Sequence, residues 1–361
     1  MMMRPTVGWI ILTVNLGRFK GERSRILKKM RNGRNQAALV LLGALFIYQT
    51  GTTFPSFVKR SEPPAVQLVD NKEEARLAFL IDGREALVYQ YSDWWDLPHF
   101  WPLRSPSGKN MIVRKTEPYP HHRGFWFADT VRFEGGRPVS TYNALYSGQV
   151  IGEGDYGPPY KDRVDHVEFT KMEASGSRGV VESDLSWIMD GKIPILKEKR
   201  AITIHALGNG EYLLDMLFIL TAAYGDVEFV SDDVHYAWPY LRMNSQFSGE
   251  NGGIIASSTG NKGQDETNMK PALWLDYSNT IDGTAEGVTV FQHPDGEEHR
   301  WLTREYGCFG PRRPDRLSGK TFVLKKDESI RQQVGIFVHR GDVQSGRISQ
   351  RYNDYIDGRW R

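Results

Sequence analysis

From Ala75 to His339 the apolar residues fall in short, strand-length runs and not at helical spacing. The stretches ARLAFLI, REALVYQY, RVDHVEFTKM, KRAITIHAL, EYLLDMLFILTA, EGVTVFQH and SIRQQVGIFVH are rich in β-branched and aromatic residues and bounded by Gly, Asp, Asn or Pro. In SIRQQVGIFVH, Ile330, Val334, Ile336 and Val338 share one face, while Arg331, Gln333, Phe337 and His339 share the other. EYLLDMLFILTA is apolar on both faces, which predicts a central strand covered on both sides. Turn pairs such as Asp82-Gly83, Asp190-Gly191, Asp282-Gly283 and Asp295-Gly296 punctuate the runs. Only near the C-terminus, at Val343, Ile348, Tyr352 and Ile356, does the spacing predict a helix. Strands without helices between them predict an all-β, antiparallel β-sandwich with a short C-terminal helix, not a parallel α/β sheet. No fixed-period repeat points to a propeller or solenoid, and no phosphate loop, nucleotide fingerprint or serine elbow occurs in suitable context.

The N-terminal part reads differently. Arg31 and Arg34 precede the apolar run AALVLLGALFIY, Ala37 to Tyr48, as in a signal peptide or signal anchor. That run is shorter than the roughly twenty apolar residues of a membrane span. Residues 1–60 are therefore read as a targeting segment, with a start that is over-extended, and the mature protein is expected outside the cytoplasm. Residues 61–74, with SEPPAVQ, form a linker and the approach to the first strand. Residues 75–342 form the β domain, and 343–361 the C-terminal helix and tail.

Composition narrows the chemistry. The 361 residues carry a formal net charge of +2 with acidic and basic residues well mixed, so no nucleic-acid footprint is visible. The one cysteine, Cys308, excludes an intrachain disulfide and a multi-cysteine zinc site, and reads as a small buried filler.

The densest chemistry lies in PHHRGFWFADT, Pro120 to Thr130. Adjacent histidines in an extended segment diverge, so one of His121 and His122 is expected to enter a given site. Arg123 offers a planar fork suited to a carboxylate, a phosphate or a sugar oxygen, and Gly124 permits a tight turn. A second group is DDVHYAWPYLRMN, where Asp233 precedes His235 and can orient its imidazole for acid–base work, with Trp238, Tyr240 and Arg242 following. His293 sits in a loop after a strand, His299 at a rim, and His339 at the end of the last long strand, placed to line a concave surface. His99, His166 and His205 are weaker candidates, and His205 is expected in solvent.

The order of WPLRSPSGKNMIVR, PHHRGFWFA, the Trp187 and Asp190 strand pair, Glu198 and Arg200, LLDMLFILTA, VHYAWPYLRMN, ALWLDYS, GVTVFQHPDG, WLTREYGCF and VGIFVHRGD resembles the bacterial PmoA-like family, the "methane oxygenase PmoA" domain of unknown function. Relatives often carry an acidic–histidine pair before the double histidine, where this chain has Glu117-Pro118-Tyr119. The resemblance implies a β-supersandwich similar to galactose mutarotase, and sugar chemistry by fold-level analogy. It does not imply the membrane copper enzyme of that name, because the chain lacks a set of long apolar spans.

Three functions follow as expectations. In the first, a carbohydrate-active enzyme (isomerase, lyase or hydrolase) uses His122 or His235 as general acid, with Asp233 or His121 as base. Arg123, Arg242, His293 and His339 would bind the substrate, and Trp126, Trp238 or Tyr240 would face a pyranose ring. No cofactor is needed for this. In the second, a divalent metal is held by His121 or His122, His235, His293 and Asp233. In the third, the protein binds glycans without turnover. The expected partner in the first and third is a carbohydrate, and the membrane is touched only through the N-terminal signal.

Overall fold

Alternate side chains of two large sheets point into one shared apolar layer, and that layer sets the architecture. The computed structural model of the protein describes residues 65–141, 161–233, 237–294 and 297–360; the targeting segment expected over 1–60, the first linker residues and His235 lie outside the described residues. The first sheet has the order β1 (Val66–Asn71), β2 (Arg76–Ile81), β3 (Arg84–Gln90), β4 (His99–Leu103), β7 (Phe125–Trp126), β15 (Tyr240–Arg242), β20 (Cys308–Pro314) and β19 (His299–Thr303). The second runs β10 (Arg163–Ser175), β11 (Arg178–Met189), β12 (Ile193–Gly208), β13 (Glu211–Thr221), β22 (Ser329–Arg340), β18 (Thr284–Gln292), β17 (Trp274–Ile281) and β16 (Ile254–Ser257). A smaller sheet contains β21 (Phe322–Leu324), β14 (Val227–Phe229), β8 (Thr130–Phe133) and β9 (Pro138–Ser140), and a two-stranded ribbon contains β5 (Arg114–Thr116) and β6 (Tyr119–Arg123). A five-residue helix, α1 (Gly263–Thr267), and the expected C-terminal helix, α2 (Ile348–Ile356), complete the described elements. Pairing is antiparallel in every sheet, as the strand runs predict.

Phe100, Phe125, Leu241 and Phe309 of the first sheet face the second, where Phe309 stacks on Tyr277 at 4.2 Å. Phe127, just past β7, stacks on Phe218 at 4.3 Å. The period of two then sends Trp126, Tyr240, Arg242 and Cys308 to the outer face of the first sheet. On the second sheet the same rule puts Leu214, Ile336 and Val338 in the core, while Leu213, Phe291 and Phe337 face outward. Helix α2 covers that outer face with Ile348, Tyr352 and Tyr355. β13 is thus apolar on both sides for the expected reason. Among the described residues β10 ends its sheet; its pairing shifts register twice, and Glu168 and Glu173 stand exposed along it.

Several charged side chains are buried between these layers, and they come in pairs. Arg123 meets Asp96 through Nε and Nη2 at 2.8 and 3.1 Å. Arg200 meets Glu198, whose other oxygen accepts from Trp187 Nε1 at 2.9 Å. Arg313 binds Asp129, which also accepts from Trp238 Nε1 at 2.8 Å, and Arg312 lies 3.2 Å from Asp232. Each pair offsets the desolvation of a buried charge with a fixed partner.

Candidate functional site

The outer face of the first sheet is where the chemistry gathers. The β5–β6 ribbon folds over it, and Gly124 turns the chain from β6 into β7 at φ +89°, where a Cβ would lie 3.1 Å from the Phe100 carbonyl oxygen. That turn carries His121 and His122 above Trp126. The result is a continuous wall of rings. Tyr306 lies 5.2 Å from Tyr119, Tyr119 stacks on His122 at 5.0 Å and 14°, His122 is 5.2 Å from Trp126, and Trp126 stacks on Tyr240 at 4.7 Å and 4°. Arg242 closes the wall, its guanidinium 4.3 Å from the centre of the Tyr306 ring. Tyr119 and Tyr306 are partly exposed and form the solvent side, whereas His121, His122, Arg242 and Cys308 are buried.

The two histidines do not diverge as an ideal strand requires. Their rings lie 4.7 Å apart at 86°. The ribbon is short and shifts register between Arg114 and Thr116, so the alternation of a long strand is not enforced there. Both imidazoles are held neutral. Burial, then Arg123, lowers His121 to about 4; burial, then His121 and Arg242, lowers His122 to about 2. His122 Nδ1 is buried without a hydrogen-bond partner. Burial pushes the Cys308 thiol up to about 12 and holds the Tyr306 hydroxyl well above its usual value, so both stay protonated. The general-acid role expected for His122 therefore does not fit its resting state; a neutral imidazole keeps one ring nitrogen as a hydrogen-bond acceptor.

This depression has a cost in acid. Above about pH 6.5, the ordinary histidine value, His122 is neutral folded and unfolded; below it, the unfolded chain takes up a proton that the folded one refuses. Stability falls as pH drops through that window, by about 2 kcal/mol for this one group at pH 5. Urea unfolding of the wild type and of His122→Gln at pH 7.5 and 5.0 measures it: the wild type is expected to lose about 2 kcal/mol more than the variant. Equal losses would contradict the buried neutral state.

The structure divides the residues singled out in the sequence. It brings His121, His122, Trp126, Tyr240 and Arg242 together. It does not bring Arg123 there: that guanidinium is fully buried against Asp96 and also donates to the Pro120 carbonyl. Trp238 is likewise buried, its indole nitrogen committed to Asp129. His339 lines no open surface; it is fully buried on the outer face of the second sheet, with Nε2 2.8 Å from Asp276 and its ring stacked on Phe337. His293 lies on that side too, 6.0 Å from Tyr355 of α2. Asp233 is exposed and bonded to the Ser231 hydroxyl. His299 is buried, bonded to the Arg312 carbonyl at 2.7 Å, and His205, expected in solvent, is buried on β12. Since His293 is remote from His121 and His122, the described members of the expected metal set are not gathered. Among the described residues no cluster of three or more His, Cys, Asp or Glu is arranged to hold an ion.

Tyr119 and Tyr306 are the site residues that the sequence did not single out. Tyr306 stood inside the quoted WLTREYGCF, just before Gly307-Cys308, and Tyr119 stood in Glu117-Pro118-Tyr119, just before the PHHRGFWFADT motif. An open cavity of about 510 Å³ lies elsewhere, lined by Tyr91, Asp93, Arg163, Asp165 and His166. Its arginine is already held by Asp165 at 2.7 and 3.0 Å, so the ring wall is the better candidate.

Comparison with known proteins corrects one expectation. The family that matches is the family of unknown function DUF6807, over residues 76–353, and nothing indicates the PmoA-like family expected from the order of the motifs. No curated protein matches the chain. Among solved structures, the GH36 alpha-galactosidase AgaB of Geobacillus stearothermophilus is 9% identical with a TM-score of 0.40, over 78% of this chain and 42% of its own. The galactose 1-epimerase of Lactobacillus acidophilus NCFM is 9% identical with a TM-score of 0.36, over 77% of this chain and 99% of its own. The GalM/aldose epimerase homologue of C. elegans is 8% identical with a TM-score of 0.32, over 77% and 100%. The chain thus spans about two fifths of the alpha-galactosidase. At these scores none carries its chemistry over.

Proposed function

The chain belongs to DUF6807, a family of unknown function, and we propose that it binds a carbohydrate against the ring wall of the first sheet and accepts a proton there at His122. The ring wall is the observation that carries this reading. A pyranose presents an apolar face to an aromatic ring and hydroxyls at its edge. Tyr119 and Tyr306, half-buried at the solvent end of the wall, supply the rings, with Trp126 and Tyr240 buried behind them, and the unpartnered Nδ1 of His122 is the polar atom next to Tyr119. The Tyr306 hydroxyl, held protonated, is a donor on the solvent side.

Proton NMR of a panel of mono- and oligosaccharides incubated with the full chain tests this in one measurement, because anomeric exchange, bond cleavage and double-bond formation each leave a distinct signature. Wild-type protein is expected to turn over at least one sugar, and His122→Ala to lose that turnover while keeping its fold by circular dichroism. Full turnover by the variant would remove His122 from the chemistry. Glycan binding without turnover is a second reading, favoured by the weak basicity of His122; it predicts unchanged spectra and affinity indifferent to the same substitution.

We also propose that the protein works outside the cytoplasm, supported by the basic and apolar run of residues 31–48. Cell fractionation is expected to find it with the exported proteins; a purely cytoplasmic distribution refutes the assignment. Among the described residues no helix is long and apolar enough to cross a membrane.

A further inference from the structure

Five arginines are buried among the described residues, and four have a carboxylate of their own: Arg123 has Asp96, Arg200 has Glu198, Arg312 has Asp232 and Arg313 has Asp129. Arg242 is the exception. It is 7% exposed, and its Nε and Nη1 are buried with no hydrogen-bond partner. Among the described residues no acidic side chain lies within ion-pair reach of it; its near neighbours are Tyr306 and, across the β15–β20 pairing, Cys308. Elsewhere this fold meets each buried guanidinium with an anion. Removing a charge from water without a partner is costly, and the cost is offset when a ligand brings the missing charge.

We infer that Arg242 receives a carboxylate of the ligand, so that the sugar taken up is an acidic one of the uronate class; this rests on the carbohydrate reading above. The stoichiometry of charge selects the group. One guanidinium stands beside two neutral imidazoles, a protonated thiol and a protonated phenol, with Glu250 the nearest acidic group among the described residues, outside ion-pair reach; a monoanion matches the single guanidinium, whereas a phosphate dianion would add a buried negative charge that nothing compensates. Carboxylate geometry also matches the planar fork. The sugar ring then extends from Arg242 along Tyr306 and Tyr119 toward His122 and its unpartnered Nδ1.

Isothermal titration of the full chain with galacturonate, glucuronate, galactose, glucose, galactose 6-sulfate and benzoate tests the assignment. The uronates are expected to bind at least tenfold more tightly than their neutral parents. In Arg242→Met that preference collapses to within twofold, while the thermal midpoint stays level or rises, because an unpaired buried charge has been removed. Arg242→Lys, which keeps the charge and loses the fork, is expected to retain part of the preference. Equal binding of acidic and neutral sugars overturns the inference and leaves the carbohydrate reading standing. Equally tight, Arg242-dependent binding of benzoate and the uronates does the reverse, keeping the carboxylate receptor and removing the carbohydrate. A uronate preference that survives Arg242→Met, tighter binding of the sulfate ester, or no binding by any probe overturns the inference.

Discussion

Asp96→Ala is expected to destabilise the protein by about 3–5 kcal/mol, the usual cost of leaving a buried charge without its partner. Arg123 is fully buried and donates to both carboxylate oxygens of Asp96. With the carboxylate gone, the guanidinium must either stay desolvated without that counter-charge or drag the end of β6 toward water. Arg123 lies between His122 and Gly124, so the second route also dismantles the turn that hangs the histidines over Trp126. Urea unfolding of Asp96→Ala and of the apolar double variant Asp96→Leu/Arg123→Met separates charge from packing. The double variant is expected to recover most of the loss, since it removes both ions at once. A single-variant loss below about 1 kcal/mol would mean that water reaches Arg123 in the folded state.

Gly310→Ala is expected to cost about 3 kcal/mol, at the upper end of what overpacking does, and to disable ligand binding as well. A methyl group at this position would overlap the carbonyl oxygen of Pro239 and meet the Ala237 Cβ at 3.0 Å. Both obstacles lie in the segment that leads into β15, and the Pro239 carbonyl is backbone, which cannot rotate away. The displaced segment carries Tyr240 and Arg242 with it. Titration with galacturonate alongside thermal unfolding checks both effects; an unchanged midpoint would show that the segment yields without strain.

The fold was legible in the sequence where burial follows a period of two. The faces assigned in β22 hold in the structure, with Ile336 and Val338 in the core and Phe337 and His339 on the other side. β13 carries apolar residues on both faces, and α2 covers the second face at Leu213, beside Asp215, which accepts from the Tyr355 hydroxyl; the run of Leu and Phe announced that cover. Half of the site was legible for a related reason. His122 and Trp126 sit in one dense motif, and Tyr240 and Arg242 share a strand face two residues apart.

What the sequence could not show is which polar residue is already taken. Arg123 and Arg242 look alike as letters, yet one is met by an aspartate 27 positions earlier and the other by none. His339 is met by Asp276, 63 positions away, and Trp238 by Asp129, 109 positions away. Those partners arrive through sheet topology, so spacing along the chain carries no trace of them. Tyr119 and Tyr306 escaped for the same reason: they matter through rings contributed by β6, β7 and β15, which meet only once the first sheet is assembled.

The margin of the second sheet has a consequence for how copies of the protein coexist. Apart from Val164, whose N–H donates to the Asp96 carbonyl, β10, thirteen residues long, is strand-paired to β11 alone among the described residues, a length that invites strand addition between molecules and hence aggregation. Two breaks in register twist that margin, and Glu168, Lys171 and Glu173 set charge along it. A second copy trying to extend the sheet would have to flatten the kinks and bury those charges against its own, so crowding does not convert this sandwich into a polymer through that edge.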